Sequence, residues 1–428
     1  MSDASQPAPR GPAMLRALRH RNYRLFFVGQ LLSLPGTWIQ AVAQSWLIYR
    51  LTGSSVLLGL AGFAGQFPVF LMAPLGGAVA DRMDRRRLLI GTQIASSLLA
   101  LALAALTLSG QVAVWQVFVL AALLGVVNGF DLPARQAFTV EMVGREDLPN
   151  AIALNSSVFN AARLVGPAVA GVLVATTGEG WCFLLNGLSY ATVLAALLAI
   201  RLSRPERTPA AGSLLTHIAD GLRYVRGHLP IRSLLLLLGM VSLAGMPYAV
   251  LMPVFADRIL GGGAQGLGLL MSCAGGGALV GALLLAARRS PRGLTAWVPW
   301  GAFGFGLGLV AFSLSRSFWL SALLLALTGF AMMVQMAASN TLLQLLVPDA
   351  LRGRVMSLYS MMFMGMAPLG ALLAGSLAEL VGAPGTVGAG GALCMLAALW
   401  FRRRLPGIRA AMRAAGRGDG APAAGPAA

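Results

Sequence analysis

Twelve long apolar runs, with arginine concentrated in every second gap between them, restrict this chain more than any motif in it. They fall at roughly 23–49, 55–79, 88–108, 113–134, 151–175, 181–201, 232–256, 265–287, 294–315, 318–346, 355–380 and 385–401. A helix needs about 20 apolar residues to cross the hydrocarbon core of a bilayer. In lipid, backbone polar groups must pair internally, and runs rich in Leu and Ala do so as helices. The expectation is an all-α membrane protein with twelve transmembrane helices. Charged residues make up 11% of the chain and hydrophobic residues 57%, where a soluble chain carries about 25% charge.

The net charge is +18, and all 32 basic residues are arginine. Arg50, Arg258 and Arg316 fall in odd-numbered gaps, and Arg163 lies inside the fifth run; the rest sit in the termini and the even-numbered gaps. This positive-inside bias predicts that both termini are cytoplasmic. No cluster of charge with aromatic residues marks a nucleic-acid face, so the expected partners are the lipid bilayer and a small molecule. Without lysine there is no P-loop lysine and hence no conventional ATP-driven pump in this chain. Schiff-base chemistry is excluded as well. His20, His217 and His228 lack metal-ligand spacing, so no metal site is expected. Cys182, Cys273 and Cys394 lie in different apolar runs and read as small core residues.

The longest internal hydrophilic stretch, 202–230, follows the sixth run. It divides the chain into a six-helix half at 22–201 and another at 231–404, with a disordered basic N-terminus at 1–21 and a disordered tail at 405–428. Leu214, Leu215, Ile218, Leu222 and Val225 recur at helical spacing opposite Arg223 and Arg226, with Ser213 as an N-cap. That predicts an amphipathic helix, either on the membrane surface or as a solvated linker. The halves are weakly similar at one offset, 149–154 paralleling 353–358, Gly166 matching Gly370 and Gly171 matching Gly375. Two six-helix halves related by an axis along the membrane normal are a transporter architecture.

Gly77-Ala-Val-Ala-Asp81-Arg82-Met-Asp84-Arg85-Arg86-Arg87 follows the second run and resembles the GxxxDRxGRR signature of the major facilitator superfamily. Gly77 suits close helix packing. Asp81 favours a helix N-terminus, worth about 0.3–1 kcal/mol and up to about 2 when partly buried, and arginines offer forked donors to carboxylates. The resemblance implies a cytoplasmic gate in which Asp81 meets the start of the eleventh helix, near Arg354–Met356. Asp131 and Arg135, placed at the end of the fourth helix, would join Asp81, Arg85 or Arg86 in that network. The alternative is that Arg82–Arg87 only set topology. Asp84 replaces the signature's middle glycine, and the second-half counterpart Arg288-Arg289-Ser290-Pro291-Arg292 lacks an aspartate.

Arg163-Leu-Val-Gly166-Pro167-Ala-Val-Ala-Gly171 resembles the fifth-helix motif associated with antiporters of that superfamily. Glycines at this spacing admit a close neighbour, and proline bends the helix. Asn160 and Arg163 share a face one turn earlier. An intramembrane arginine faces a cavity or a partner, so Arg163 either attracts an anionic substrate or is neutralised by Asp131 or Glu141.

In the first run Gln30, Ser33, Thr37, Gln40 and Gln44 form a polar stripe, interrupted by Pro35-Gly36; the tenth run carries Gln335, Ser339, Asn340 and Gln344. In the superfamily the first, fourth, seventh and tenth helices line the central cavity, so both stripes would contribute to substrate binding. Interhelical hydrogen bonding is the alternative reading. Eight methionines at 332, 333, 336, 356, 361, 362, 364 and 366 suit either a polyspecific pocket or core filling. No carboxylate is expected at mid-helix, and Asp131 is the best candidate for a coupling acid.

The stretches Asn128-Gly-Phe-Asp-Leu-Pro-Ala-Arg-Gln-Ala137, Asn155-Ser-Ser-Val-Phe-Asn-Ala-Ala-Arg163 and Gly221-Leu-Arg-Tyr-Val-Arg226 are similar to the bacterial branch that contains the enterobactin exporter and macrolide efflux proteins. The resemblance implies a monomeric secondary transporter of the bacterial inner membrane that exports a siderophore or drug-like compound by alternating access. It implies no cofactor, the proton gradient being the energy source. A nutrient importer and a non-transport scaffold are the alternatives.

Overall fold

The computed structural model describes residues 13–201, 214–288 and 293–416. Among them there are helices and short connections and no strand. A short 3-10 turn, Ala13–Arg19, leads into α1 (Arg21–Thr52), α2 (Ser55–Arg82) and α3 (Arg85–Leu108). Gly53, at φ 61, ends α1 in the left-handed conformation, which glycine adopts without a Cβ penalty. Ser54 accepts from the Leu57 N–H to start α2.

Val114–Thr177 is helical throughout except at Gly144, at φ 71 and ψ 178. A continuous helix of that length would measure about 96 Å, some three times the hydrocarbon thickness. Gly144 therefore separates two spans, α4 (114–143) and α5 (145–177). Gly178 (φ 90) turns the chain into α6 (Glu179–Ala199). A linker helix, α7 (Leu214–Gly227), precedes α8 (Leu229–Ile259). Then come α9 (Gly263–Ala286), α10 (Leu294–Leu314) and α11 (Phe318–Leu346). Asp349–Gly416 breaks at Gly382 (φ 76, ψ 159) into α12 (349–381) and α13 (383–416). Among the described residues ten segments are long and apolar enough to cross a membrane; two of them carry a glycine break, which makes twelve spans, as the apolar runs predict. Gly178 and Gly382, both at positive φ, stand 204 residues apart, the same offset as Gly166 and Gly370. The repeat is thus visible in the backbone.

α8 is irregular. Val241–Gly245 and Phe255–Ile259 are π turns and Met246–Ala249 is 3-10. Pro247 and Pro253 lack the N–H that a regular ladder needs, and π and 3-10 turns absorb the mismatch.

Two helix pairs join the halves at glycine contacts. A Cβ on Gly375 of α12 would stand 2.8 Å from the Gly59 Cα of α2, and one on Gly268 of α9 would stand 2.7 Å from the Gly171 Cα of α5. The outer belt carries Leu380, 82% exposed, and Trp319, 74% exposed, surface that lipid covers.

Two expected disordered segments differ in part. Residues 13–19 form the 3-10 turn and residues 405–416 extend α13; residues 1–12 and 417–428 lie outside the described residues. The amphipathic helix is present as α7, with Ser213 outside the described residues. α7 docks on α12: Asp220 accepts from Arg354 Nη1 at 3.1 Å, Gly221 faces Arg354 and Val225 is buried.

Candidate functional site

At the arginine-rich hairpin, Asp84 caps α3, its Oδ1 accepting from the N–H groups of Arg86 and Arg87 at 3.0 and 3.2 Å. The turn keeps its helix start although glycine is absent. Arg85 donates to Glu141 Oε1 at 2.6 Å and to Asp81 Oδ1 at 3.4 Å. Arg86 donates to the carbonyls of Leu197 and Leu198, two of the acceptors that the end of α6 leaves open. Arg82, the last residue of α2, is exposed. Asp81 is half exposed on its side chain and pairs here with Arg85, while Arg354 pairs with Asp220. The close packing expected of Gly77 belongs to its neighbour. A Cβ on Gly76 would stand 2.2 Å from the Gly129 carbonyl, whereas Gly77 has nothing within 4 Å. One residue turns the helix by about 100°, so adjacent glycines address different surroundings.

Asp131 and Arg135 occupy a different place from the one expected. α4 continues past the apolar run to residue 143, because Phe138, Met142 and Val143 are buried in the bundle. Asp131 therefore lies roughly 20 Å along the axis from the Gly144 break. It is 2% exposed and accepts from Thr92 Oγ1 and Gln93 Nε2, each at 2.8 Å, and from Arg135 Nη2. Arg135 Nη1 donates to Gln30 Oε1 at 2.8 Å, and its Nε is buried without a partner. This network spans α1, α3 and α4 and is separate from the Asp81–Arg85–Glu141 group. The carboxylate missing from mid-helix in the sequence reading is Asp131.

The stripe on α1 turns largely toward α6. Gln40 accepts from Asn186 Nδ2 at 2.6 Å and Ser33 Oγ lies 3.1 Å from Ser189 Oγ; both side chains are buried. Interhelical hydrogen bonding accounts for these two. Thr37 is exposed and Gln44 is half-buried. On α11, Gln335 is fully buried against Gly301 of α10 and donates to Ser339 Oγ at 3.3 Å; its Oε1 has no partner. Asn340, half-buried, accepts from Gln344 Nε2. Of the methionines, Met332 is buried, while Met362 and Met366 face Gly239 of α8 and Met333 faces Gly281 of α9.

Arg163 stands at the junction of both halves. A Cβ on Gly166 would lie 2.5 Å from the Trp38 Cβ, so the glycine lets α1 press against α5. Trp38 is thereby set beside Arg163, whose Cζ is 6.0 Å from the indole centroid. Phe159 meets the same indole edge-on at 5.6 Å. Tyr248 of α8 lies within electrostatic reach of the guanidinium, and the Arg163 carbonyl is against Gly275 of α9. The neutralising partners considered above are engaged elsewhere, Asp131 with Arg135 and Glu141 with Arg85. Among the described residues no carboxylate pairs with Arg163. Asn160, one turn earlier, donates to the Ser156 carbonyl at 2.8 Å, and its Oδ1 is buried without a partner. Ser156 and Ser360 are exposed at equivalent positions of α5 and α12.

The arginine-poor end is tied across the halves. Tyr49 Oη donates to Asp257 Oδ2 at 2.9 Å and Arg258 Nη2 donates to the Gly53 carbonyl at 3.2 Å. Arg258 also lies over the Tyr49 ring at 5.6 Å. Within the first half, Arg50 grips Glu179 at 2.7 Å.

Known proteins share both sequence and fold with this chain. The staphyloferrin A transporter of Staphylococcus aureus is 26% identical over 84% of this chain and 90% of its own length. The multidrug efflux pump Tap of Mycolicibacterium fortuitum is 28% identical over 81% and 87%. The enterobactin exporter EntS of Escherichia coli is 26% identical over 85% and 86%. Among solved structures, a peptide transporter of the POT family superposes with a TM-score of 0.71 at 14% identity, over 94% of this chain and 99% of its own. A bacterial homologue of the iron transporter ferroportin, in an inward-facing state, gives 0.67 at 18% identity, over 90% and 98%. Residues 13–420 match the family described as transmembrane secretion effector. With twelve spanning helices in two related halves, this chain is a membrane transporter, not an enzyme, and belongs to the transmembrane secretion effector family of the major facilitator superfamily.

Proposed function

We propose that this protein exports small amphipathic molecules carrying an acidic group, siderophores or drug-like compounds, by alternating access coupled to proton entry. The carrying observation is Arg163, a cation at the junction of α1, α5, α8 and α9 with aromatic neighbours and no carboxylate partner among the described residues. A guanidinium inside a membrane protein is costly unless it meets a partner or water, and here an anionic substrate is the partner. Trp38 and Phe159 supply apolar faces to the rest of the molecule. The named relatives, a staphyloferrin A transporter, a multidrug pump and an enterobactin exporter, favour this class and this direction.

The positive-inside bias orients the arginine-rich end to the cytoplasm of an inner membrane. In that orientation the ties from Tyr49 and Arg258 close the outer side, and substrate enters from the cytoplasm. The Asp81 motif then locks the cytoplasmic side in the opposite state. Asp131 is the coupling acid: protonation releases Arg135, which also holds Gln30 of α1. Gln44 remains a substrate-facing candidate, whereas Thr37 meets the Tyr190 hydroxyl of α6 and Asn340 the Tyr359 hydroxyl of α12.

Everted membrane vesicles test this reading. A fluorescent aromatic carboxylate should accumulate inside them on energisation, and a protonophore should abolish the accumulation. Accumulation in intact cells that rises with expression would instead indicate import.

A further inference from the structure

We infer that the outer face of the C-terminal half holds one anionic phospholipid in a groove between α10 and α13. The groove has a volume of about 490 Å³ and is lined by Ala296, Pro299, Trp300, Phe303, Leu399 and Arg402, among others. That volume lies within the range of about 300–1,000 Å³ that small-molecule sites occupy. Its walls are apolar, as an acyl chain requires, and one cation stands in it. Trp300 is 60% exposed and Arg402 is exposed, so the groove opens sideways onto the lipid-facing surface, and none of the neighbours of Arg163 lines it.

The cation is set for a phosphate. Arg402 Cζ lies over the Trp300 ring, 5.3 Å from its centroid, and a guanidinium's forked N–H donors suit a bidentate acceptor such as phosphate. Among the described residues no carboxylate pairs with Arg402. Around it, Arg404 lies over Trp400 at 4.6 Å and Arg288 over Trp297 at 4.4 Å, so three arginine–tryptophan pairs mark the arginine-rich end of this half. Tryptophan concentrates at the headgroup level of a bilayer, and basic pockets between spans at that level recognise anionic headgroups. A phosphate at Arg402 would lead its acyl chain along Trp300, Phe303 and Leu399 toward the membrane centre.

Native mass spectrometry of the full-length protein, titrated with phosphatidylglycerol or phosphatidylcholine, tests the assignment. The expected result is one tightly retained phosphatidylglycerol, favoured over phosphatidylcholine by about five- to tenfold, the worth of one interfacial arginine. Arg402→Gln should remove that preference and Arg402→Lys should retain part of it. Ala296→Phe, which fills the groove and keeps every charge, should also displace the lipid. Equal retention of the two lipids by the wild type, or an unchanged preference in folded Arg402→Gln protein, would overturn the proposal. Displacement of phosphatidylglycerol by equimolar inorganic phosphate would overturn it too, by showing a site for the free ion.

Discussion

Gly166 of α5 abuts Trp38 of α1 so closely that a Cβ on the glycine would stand 2.5 Å from the Trp38 Cβ. This contact sets the position of the indole against Arg163. Gly166→Ala should push α1 away, at a cost of about 1–3 kcal/mol for an overpacked contact. The expected outcome is normal membrane insertion with about tenfold weaker transport, measured in everted vesicles. Unchanged transport would separate the glycine from the site.

Asp131 and Arg135 form a buried pair. Asp131→Asn leaves the guanidinium uncompensated and should destabilise the protein by about 3–5 kcal/mol. The double variant Asp131→Asn with Arg135→Gln should be the less destabilised of the two, because no lone charge remains. Thermal unfolding in detergent, arranged as a double-mutant cycle, reads the coupling.

Tyr49 and Asp257 tie the arginine-poor end. Tyr49→Phe removes one charged hydrogen bond, worth about 1.5–3 kcal/mol, and should shift the population toward the state open at that end. Labelling of a cysteine placed at Leu57 should then quicken by about tenfold. An unchanged rate would show that the glycine contacts of α2 with α12, and of α5 with α9, hold that end without the tie.

Asp147 anchors the turn at 13–19. The hydrogen bond from His20, together with the Arg16 guanidinium, holds its carboxyl below the usual carboxylate range. The stabilisation is therefore full above the unfolded value of about 3.9 and is lost as pH falls through the lowered folded value. Proteolysis of the N-terminal segment should rise below about pH 4 in the wild type. In Asp147→Asn it should be raised already at neutral pH and should not depend on pH in that window.

The twelve spans and their repeat are legible in the sequence because hydropathy alone decides what lipid accepts. Depth and direction within the bundle are less so. The fourth apolar run stops near residue 134 while its helix continues to 143, since the residues after Arg135 are covered by protein and need not satisfy lipid. That extension is what turns Asp131 from a helix-end residue into a buried one. Periodicity likewise identifies the polar face of α1 but not its neighbour. Asn186 and Ser189 on α6, the partners of Gln40 and Ser33, carried no signal apart from being polar residues within an apolar run. Gly76 and Gly77 are indistinguishable in sequence, and the rotation of α2 decides which of them meets Gly129.

If Arg163 receives the anionic group of the substrate, a single variant should discriminate substrates by charge. Uptake into everted vesicles should be compared for an aromatic carboxylate and its neutral methyl ester, in wild type and in Arg163→Gln. Carboxylate uptake should fall by about tenfold or more in the variant, the worth of one charge-assisted hydrogen bond, while ester uptake should change little. Equal loss for both compounds would contradict it and return Arg163 to a purely structural role.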